Sequence, residues 1–258
     1  MKKAIEFLLK HKFMFEELVK RDFKKKYKRT ILGMVWSVLS PLLTLLVLKI
    51  VFTTFFGREI EHYTIYLFCG NLLFAYFRES TQTGMSALLS NSSIFVKINI
   101  PKYLFLLSRN VSSLINFSIN LCVFFVFCFF EPIPFSWRFL CLIYPVVCLL
   151  FFNLGIGLIL SALYIFFRDI KYLYDVLLML LMYTSAIFYS VDKFSPEYQK
   201  LFLCNPVYVC ISYFREVVLG GHLPGMTIHL LAAAYAFGAL ALGAWFYKKF
   251  NKSFLYYV

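Results

Sequence analysis

The chain has 258 residues, 61% of them hydrophobic and 15% charged, with a formal net charge of +13. Soluble domains hold about a quarter charged residues, so this composition excludes that class. The apolar residues also fall in blocks near the ~20 that span a bilayer core, which predicts an all-α integral membrane protein. The excess of cations then belongs to loops facing anionic lipid, with no nucleic-acid partner.

Residues 1–27 predict an amphipathic interfacial helix. Lys2, Lys3, Glu6, Lys10, Glu17, Lys20, Arg21 and Lys24 share one sector of about 100°, with Ile5, Leu8, Leu9, Phe15, Leu18 and Val19 opposite. Such a helix lies in the membrane surface and does not cross. Phe13 breaks the pattern by falling in the polar sector. Charges at Lys2, Lys3, Glu6 and Lys10 make the first apolar stretch a poor signal-peptide core. At 21–42, RDFKKKYKRTILGMVWSVLSPL, a cationic cluster runs into an apolar helix with no linker. The chain therefore divides into an interfacial helix with its cationic junction (1–30), a membrane domain (31–250) and a tail (251–258).

Six membrane spans are predicted, at 31–56, 63–84, 102–130, 138–165, 172–190 and 226–247. Six crossings put both termini on one side, and that side holds nineteen Lys and Arg against five on the other. Cations are retained in the cytoplasm, so both termini are expected there. The 191–225 connection is too long for a simple turn and carries Pro196, Pro206 and Pro224, so it is expected to form re-entrant helices on the outer side. Pro101 suits the first turn of the third span.

The third span carries Ser108, Ser112, Asn116 and Asn120 at four-residue spacing, one stripe along a helix. Two readings stand: hydrogen-bonding glue between helices, or the wall of a polar passage. The fourth span has a similar stripe, Asn153, Gly157 and Ser161. Lys49, Arg78, Glu79, Arg109 and Asp175 fall inside spans, where a charge is costly unless paired or hydrated. Comparing depths along consecutive helices makes Arg109 the expected partner of Glu79, with Lys49 snorkelling outward. Trp36, Tyr183, Phe188 and Tyr189 are candidate sugar-stacking liners. The seven cysteines read as small buried hydrophobes, with Cys204 and Cys210 the one candidate disulfide. The four histidines lack metal-ligand spacing. No Gly-Lys pair exists, so the chain has no P-loop to hold ATP.

Arg21-Asp22, Lys24, Tyr27, Leu32-Gly33, Trp36 and Pro41-Leu42, then the 86–101 connection, Arg168-Asp169-Ile170, and finally Asn205-Pro206 with Phe214-Arg215, occur in a fixed order. Across residues 20–220 this pattern resembles the membrane subunit of type-2 ABC exporters of cell-surface polysaccharides. The resemblance implies a non-catalytic permease of the bacterial cytoplasmic (inner) membrane, with no metal or cofactor of its own. Two copies would form the pathway, and a separate ATPase chain would bind ATP and Mg. The cargo would be a lipid-linked glycan of teichoic acid, O-antigen or capsule type. Coupling to the ATPase would fall on Asn91, Ile94, Phe95, Lys97, Arg168 and Asp169. Arg21, Lys24, Lys25, Lys28 and Arg29 are candidates for the substrate headgroup, since they sit where a pyrophosphate would arrive. One departure is Ser185-Ala186-Ile187, where relatives often carry proline. The rival classes are a type-2 permease for drugs or lipids, a membrane-embedded glycosyl- or acyltransferase, and a simple channel.

Overall fold

A computed structural model describes residues 2–27, 31–56, 60–97, 100–131, 133, 135–251, 253–255 and 257, with backbone alone at 2–11, 25, 27, 53–56 and 255. Ten α-helices, and no strand, occur among these residues: α1 (Lys2–Tyr27), α2 (Trp36–Phe56), α3 (Tyr63–Ser90), α4 (Ser92–Phe95), α5 (Tyr103–Phe130), α6 (Ile143–Phe166), α7 (Ile170–Thr184), α8 (Pro196–Phe202), α9 (Pro206–Val218) and α10 (Met226–Phe250). Four stretches are long and apolar enough to cross a membrane: Gly33–Phe52, Tyr103–Phe130, Trp137–Phe166 and Met226–Phe250. The pair α8 and α9, bent by 107°, makes a fifth if counted as one span. α3 falls short because Asn71, Arg78, Glu79 and Gln82 interrupt its apolar run, and α7 because it has only 15 residues.

α3 is the central post, buried along most of its length and packed on α2, α5, α6, α7 and α9. α6 and α10 cross at very close range. A Cβ at Gly155 would collide with the Ala239 backbone, and one at Gly243 with the Gly155 backbone. Small residues that let helix backbones touch are the means by which membrane helices associate without a hydrophobic driving force. The Asn153, Gly157 and Ser161 stripe is therefore packing: all three are buried, and Gly157 lies against Gly84 of α3.

The helices define two ends. One gathers α1, the α3–α5 connection, the α6–α7 turn and the tail. Here Lys102 donates to the Asn251 carbonyl at 2.8 Å, and Phe166 packs on Phe250, Phe254 and Tyr257. At the opposite end His62 meets Glu131 at 3.2 Å, and Arg138 donates to the Gly221 carbonyl.

α1 is not an isolated surface helix. Its Met14, Phe15 and Leu18 join Phe95, Phe105, Tyr247 and Phe254 in one apolar cluster. Gly33 opens the short turn ahead of α2, and its φ of +53° lies in the left-handed region that favours glycine, with open space where a Cβ would sit.

α7 ends at Thr184, six residues before the predicted end of its span. At 1.5 Å per residue its 15 residues cover about 22 Å, short of a ~30 Å hydrocarbon core. Residues 185–190 continue without helical structure, turning at Ala186 (φ +48°). Unpaired backbone is not tolerated at membrane depth unless it is enclosed in protein, and here four successive carbonyls are satisfied. Arg215 donates to Ala186 and Ile187 at 2.9 and 3.0 Å, and the hydroxyls of Tyr63 and Tyr66 reach Phe188 and Tyr189 at 2.8 and 2.7 Å. Arg215 also donates to the Tyr66 carbonyl and lies 3.5 Å from that ring's centre. It is buried, so it leaves the tally of loop cations on its side. Asn205 caps α9 through the amides of Val207 and Tyr208 and donates to Ser185 at 3.0 Å. The Asn205-Pro206 and Phe214-Arg215 motif is thus a strap around the broken end of α7. Cys204 is exposed, Cys210 is buried, and both are free thiols.

Candidate functional site

α2, α3 and α5 each turn one polar face toward a common space. On α2 these are Trp36, Ser37, Ser40, Pro41 and Thr44, at helical spacing. Pro41 has no N–H to donate to the Ser37 carbonyl, so that carbonyl lacks its usual helical partner. α3 contributes Asn71, Ala75, Arg78, Glu79, Gln82 and Thr83, and α5 contributes Asn116 and Asn120. Lys26, near the end of α1, closes one side. The cavity has a volume of about 570 Å³.

Glu79 is the electrostatic centre. One carboxylate oxygen takes the Lys26 ammonium at 2.8 Å and the other the Asn116 amide at 2.8 Å. Its expected partner, Arg109, is engaged elsewhere. The Arg109 Nε lies 3.4 Å from Asp22 Oδ2, an ion pair whose N–H is not aimed for a hydrogen bond, and the same guanidinium donates to Ser90. Depth along the spans leaves α1 out, and α1 supplies the true partners of both charges.

Asp22 is the second centre, its side chain 1% exposed. Arg21 binds it through Nε and Nη2 at 3.1 and 2.8 Å, and Ser108 donates to it at 3.1 Å. Arg21 Nη2 also donates to Asn91 Oδ1 at 2.8 Å, so one carboxylate joins α1, α5 and the turn into α4. Burying a charge is costly unless it is paired and hydrogen-bonded. Asp22 meets both conditions.

The sequence candidates therefore separate. Trp36, Asn116 and Asn120 come together at the cavity, while Ser112 is half-buried outside its lining. Ser108 is buried and engaged with Asp22, as glue between helices. Tyr183, Phe188 and Tyr189 lie at the opposite end of α3. Phe188 is buried there, stacked on Phe52 at 4.5 Å, and Tyr189 donates to the Tyr183 carbonyl. Of the headgroup candidates, Arg21 is committed to Asp22 and Asn91, and Lys24 is exposed. Lys28 and Arg29 lie outside the described residues, as does the Lys25 side chain. In the coupling set Asn91 and Phe95 are buried, because Asn91 caps the end of α3 through the Ala87 carbonyl and Phe95 fills the apolar cluster under α1. Lys97, Arg168 and Asp169 are exposed and Ile94 is half-buried.

Arg78 and Glu79 stand out in the sequence as charges inside a predicted span, whereas Lys26 and Gln82 do not. A further signal is present in α3: Asn71, Arg78, Gln82 and Ser86 recur at spacings of four and seven, one helical face, just as in the α5 stripe. Gln82 also donates to Asp175 of α7 at 2.8 Å, beside a smaller cavity that includes Lys171 and Ser86.

The profile of the ABC-2 type transporter family matches residues 14–219, which contain every element of this cavity. The chain belongs to that family. It is thus a transport component with several membrane helices. Relatives of this ABC-2 permease include the O-antigen export system permease RfbA of Klebsiella pneumoniae, 27% identical over 216 residues, 82% of this chain and 83% of the relative. RfbA of Myxococcus xanthus is 26% identical over 221 residues, 84% of each chain. The polysialic acid transport protein KpsM of Escherichia coli is 22% identical over 225 residues, 86% of this chain and 87% of the relative.

Proposed function

We propose that this ABC-2 permease is the transmembrane subunit of an ATP-driven exporter that moves a lipid-linked polysaccharide from the cytoplasmic to the outer face of the membrane. The polar cavity between α2, α3 and α5 carries the reading. A glycan needs hydroxyl and amide partners along its path, and Ser37, Ser40, Thr44, Asn71, Asn116 and Asn120 supply them in an otherwise apolar bundle. The likeness to O-antigen and polysialic acid permeases supports the same cargo class. A drug permease is less well served by so many hydrogen-bonding side chains.

In this reading α2, α3, α5, α6, α7 and α10 are the six spans, with residues 185–190 completing the fifth and α8 and α9 dipping back from the outer side. The end that holds both termini faces the cytoplasm, where the positive-inside rule retains its cations. Lys24, Lys25, Lys28 and Arg29 form an electrostatic approach for an anionic headgroup, while Arg21 acts through Asp22. Exposed apolar residues on α2 (Leu43, Leu46, Val47) and α7 (Val176, Met179, Leu180) leave room for a second copy or for lipid. A separate ATPase, holding ATP and Mg, docks beside Lys97, Arg168 and Asp169. Movement of α4 then passes through Asn91 to Arg21 and through Asp22 to α1 and α5.

Deleting the gene for this chain in its source bacterium tests the proposal. Lipid-linked glycan should accumulate inside the cell, with the surface polymer lost. Normal surface glycan in the deletion strain would contradict it.

A further inference from the structure

We propose that the cavity beside Glu79 contains a seat for a phosphate or pyrophosphate ester, formed by Arg78 and Lys26, in which Glu79 is the internal anion that holds Lys26 while the seat is empty. The ligand's identity as a lipid-linked headgroup rests on the exporter reading; the anion seat rests on the geometry. Arg78 and Glu79 are neighbours on α3 and both line the cavity. Glu79 is occupied on both oxygens, by Lys26 and Asn116. The Arg78 side chain takes no hydrogen-bond or ion-pair partner among the described residues. The charged liners are thus two cations against one anion, and the remaining liners are neutral. A cation at the edge of hydrocarbon is costly unless it is paired or hydrated, and a guanidinium fork matches phosphate oxygens bidentately.

Exchange is a consequence of that charge count. An arriving phosphate oxygen competes with Glu79 for the Lys26 ammonium while Arg78 grips it from the other side. Breaking the Lys26–Glu79 pair removes one tie between the end of α1 and α3, so the same event that fills the seat loosens the helix that closes it. Asn120 also lines the cavity, four residues along the same face of α5 from Asn116, and supplies a polar wall for the group beyond the phosphate. At about 570 Å³ the cavity has room for a glycosyl unit beyond the phosphate.

The test uses the full chain in phosphatidylcholine nanodiscs, with geranylgeranyl pyrophosphate and inorganic pyrophosphate as probes. Geranylgeranyl pyrophosphate should bind, and Arg78→Gln should weaken it about tenfold, the cost of one charge-assisted contact. Arg78→Lys should recover part of the loss. Glu79→Gln should tighten binding, because Lys26 is released from its internal partner. Each variant should melt close to wild type, which separates seat loss from misfolding. Tighter binding of the prenylated probe than of inorganic pyrophosphate assigns the seat to a lipid headgroup, and equal binding assigns it to a free anion; both outcomes support the seat. Wild-type affinity in Arg78→Gln, or weaker affinity in Glu79→Gln, would overturn it. If that happens while surface glycan is still exported, the seat fails and the exporter reading stands.

Discussion

Arg215, at the end of the bundle that carries α9, and Arg109, at the end that carries α1, are both held among helices but satisfied differently. Arg215 spends its guanidinium on the carbonyls of Tyr66, Ala186 and Ile187. Carbonyls of a broken helix cannot change partner unless the chain refolds. Arg109 faces Asp22, and Asp22 faces Arg21 and Ser108, all of them side chains. Lys26 and Glu79 make another such pair nearby. Side-chain partners can rotate, exchange and accept a substitute ion. The first end is therefore built as a fixed strap, and the second as a set of joints able to respond to an ATPase or a substrate.

Breaking the joint at its centre should have the largest effect. Asp22→Ala leaves Arg109 inside the bundle without its carboxylate, and removing one partner of a buried pair costs about 3–5 kcal/mol. Thermal unfolding in detergent should show a drop of many degrees and loss of the α1–α5 contact; an unchanged melting temperature would remove Asp22 from the centre of the joint. Arg215→Lys should come next. A lysine cannot reach three carbonyls at once, and each lost charge-assisted hydrogen bond is worth about 1.5–3 kcal/mol. Proteolysis within 185–190 should become faster in this variant, and an undisturbed cleavage rate would show that the strap is not what encloses the segment.

Gly155→Ala probes packing without charge. Its Cβ meets the Ala239 backbone, and overpacking of this kind costs about 1–3 kcal/mol. Cross-linking between cysteines placed on α6 and α10 should slow as the helices separate. The smallest effect on stability belongs to Arg21→Lys. Arg21 is partly exposed, so its pairing contributes under about 1 kcal/mol, yet Lys cannot bind Asp22 and Asn91 together. ATP hydrolysis that continues while export falls would place Arg21 in the coupling joint; export at the wild-type rate would reduce it to a surface contact.

Helix positions were largely legible in the sequence. The predicted spans at 63–84, 102–130 and 226–247 match α3, α5 and α10 to within a few residues, apart from the extra turns that carry α3 on to Ser90. Apolar blocks and Pro101 were enough for that. The predicted fifth span runs past the end of α7 because residues 185–190 carry no charge, and only the distant Arg215 and Asn205 make a non-helical path tolerable. A missing proline at 185–187 was the one local sign. Part of the cavity lining was legible too. Trp36, Asn116 and Asn120 were singled out and do meet, since polar residues at helical spacing mark one face. Glu79's partner was not legible, because Lys26 lies 53 residues away on a helix expected to rest flat on the membrane. The resemblance implies that Phe95 contacts the ATPase, whereas its ring completes the apolar cluster beneath Leu18.

The contrast between the responsive end of the bundle, where Arg78 and Lys26 line the cavity, and the fixed strap around Arg215 can be tested in one experiment. Arg78→Lys and Arg215→Lys are each reconstituted with the partner ATPase, and melting temperature and ATP-driven glycan export are measured on the same preparations. Arg78→Lys should melt with the wild type and export less, while Arg215→Lys should melt lower and export normally per folded molecule. A normal export rate in Arg78→Lys, or an export defect in folded Arg215→Lys with no change in melting, would contradict the account.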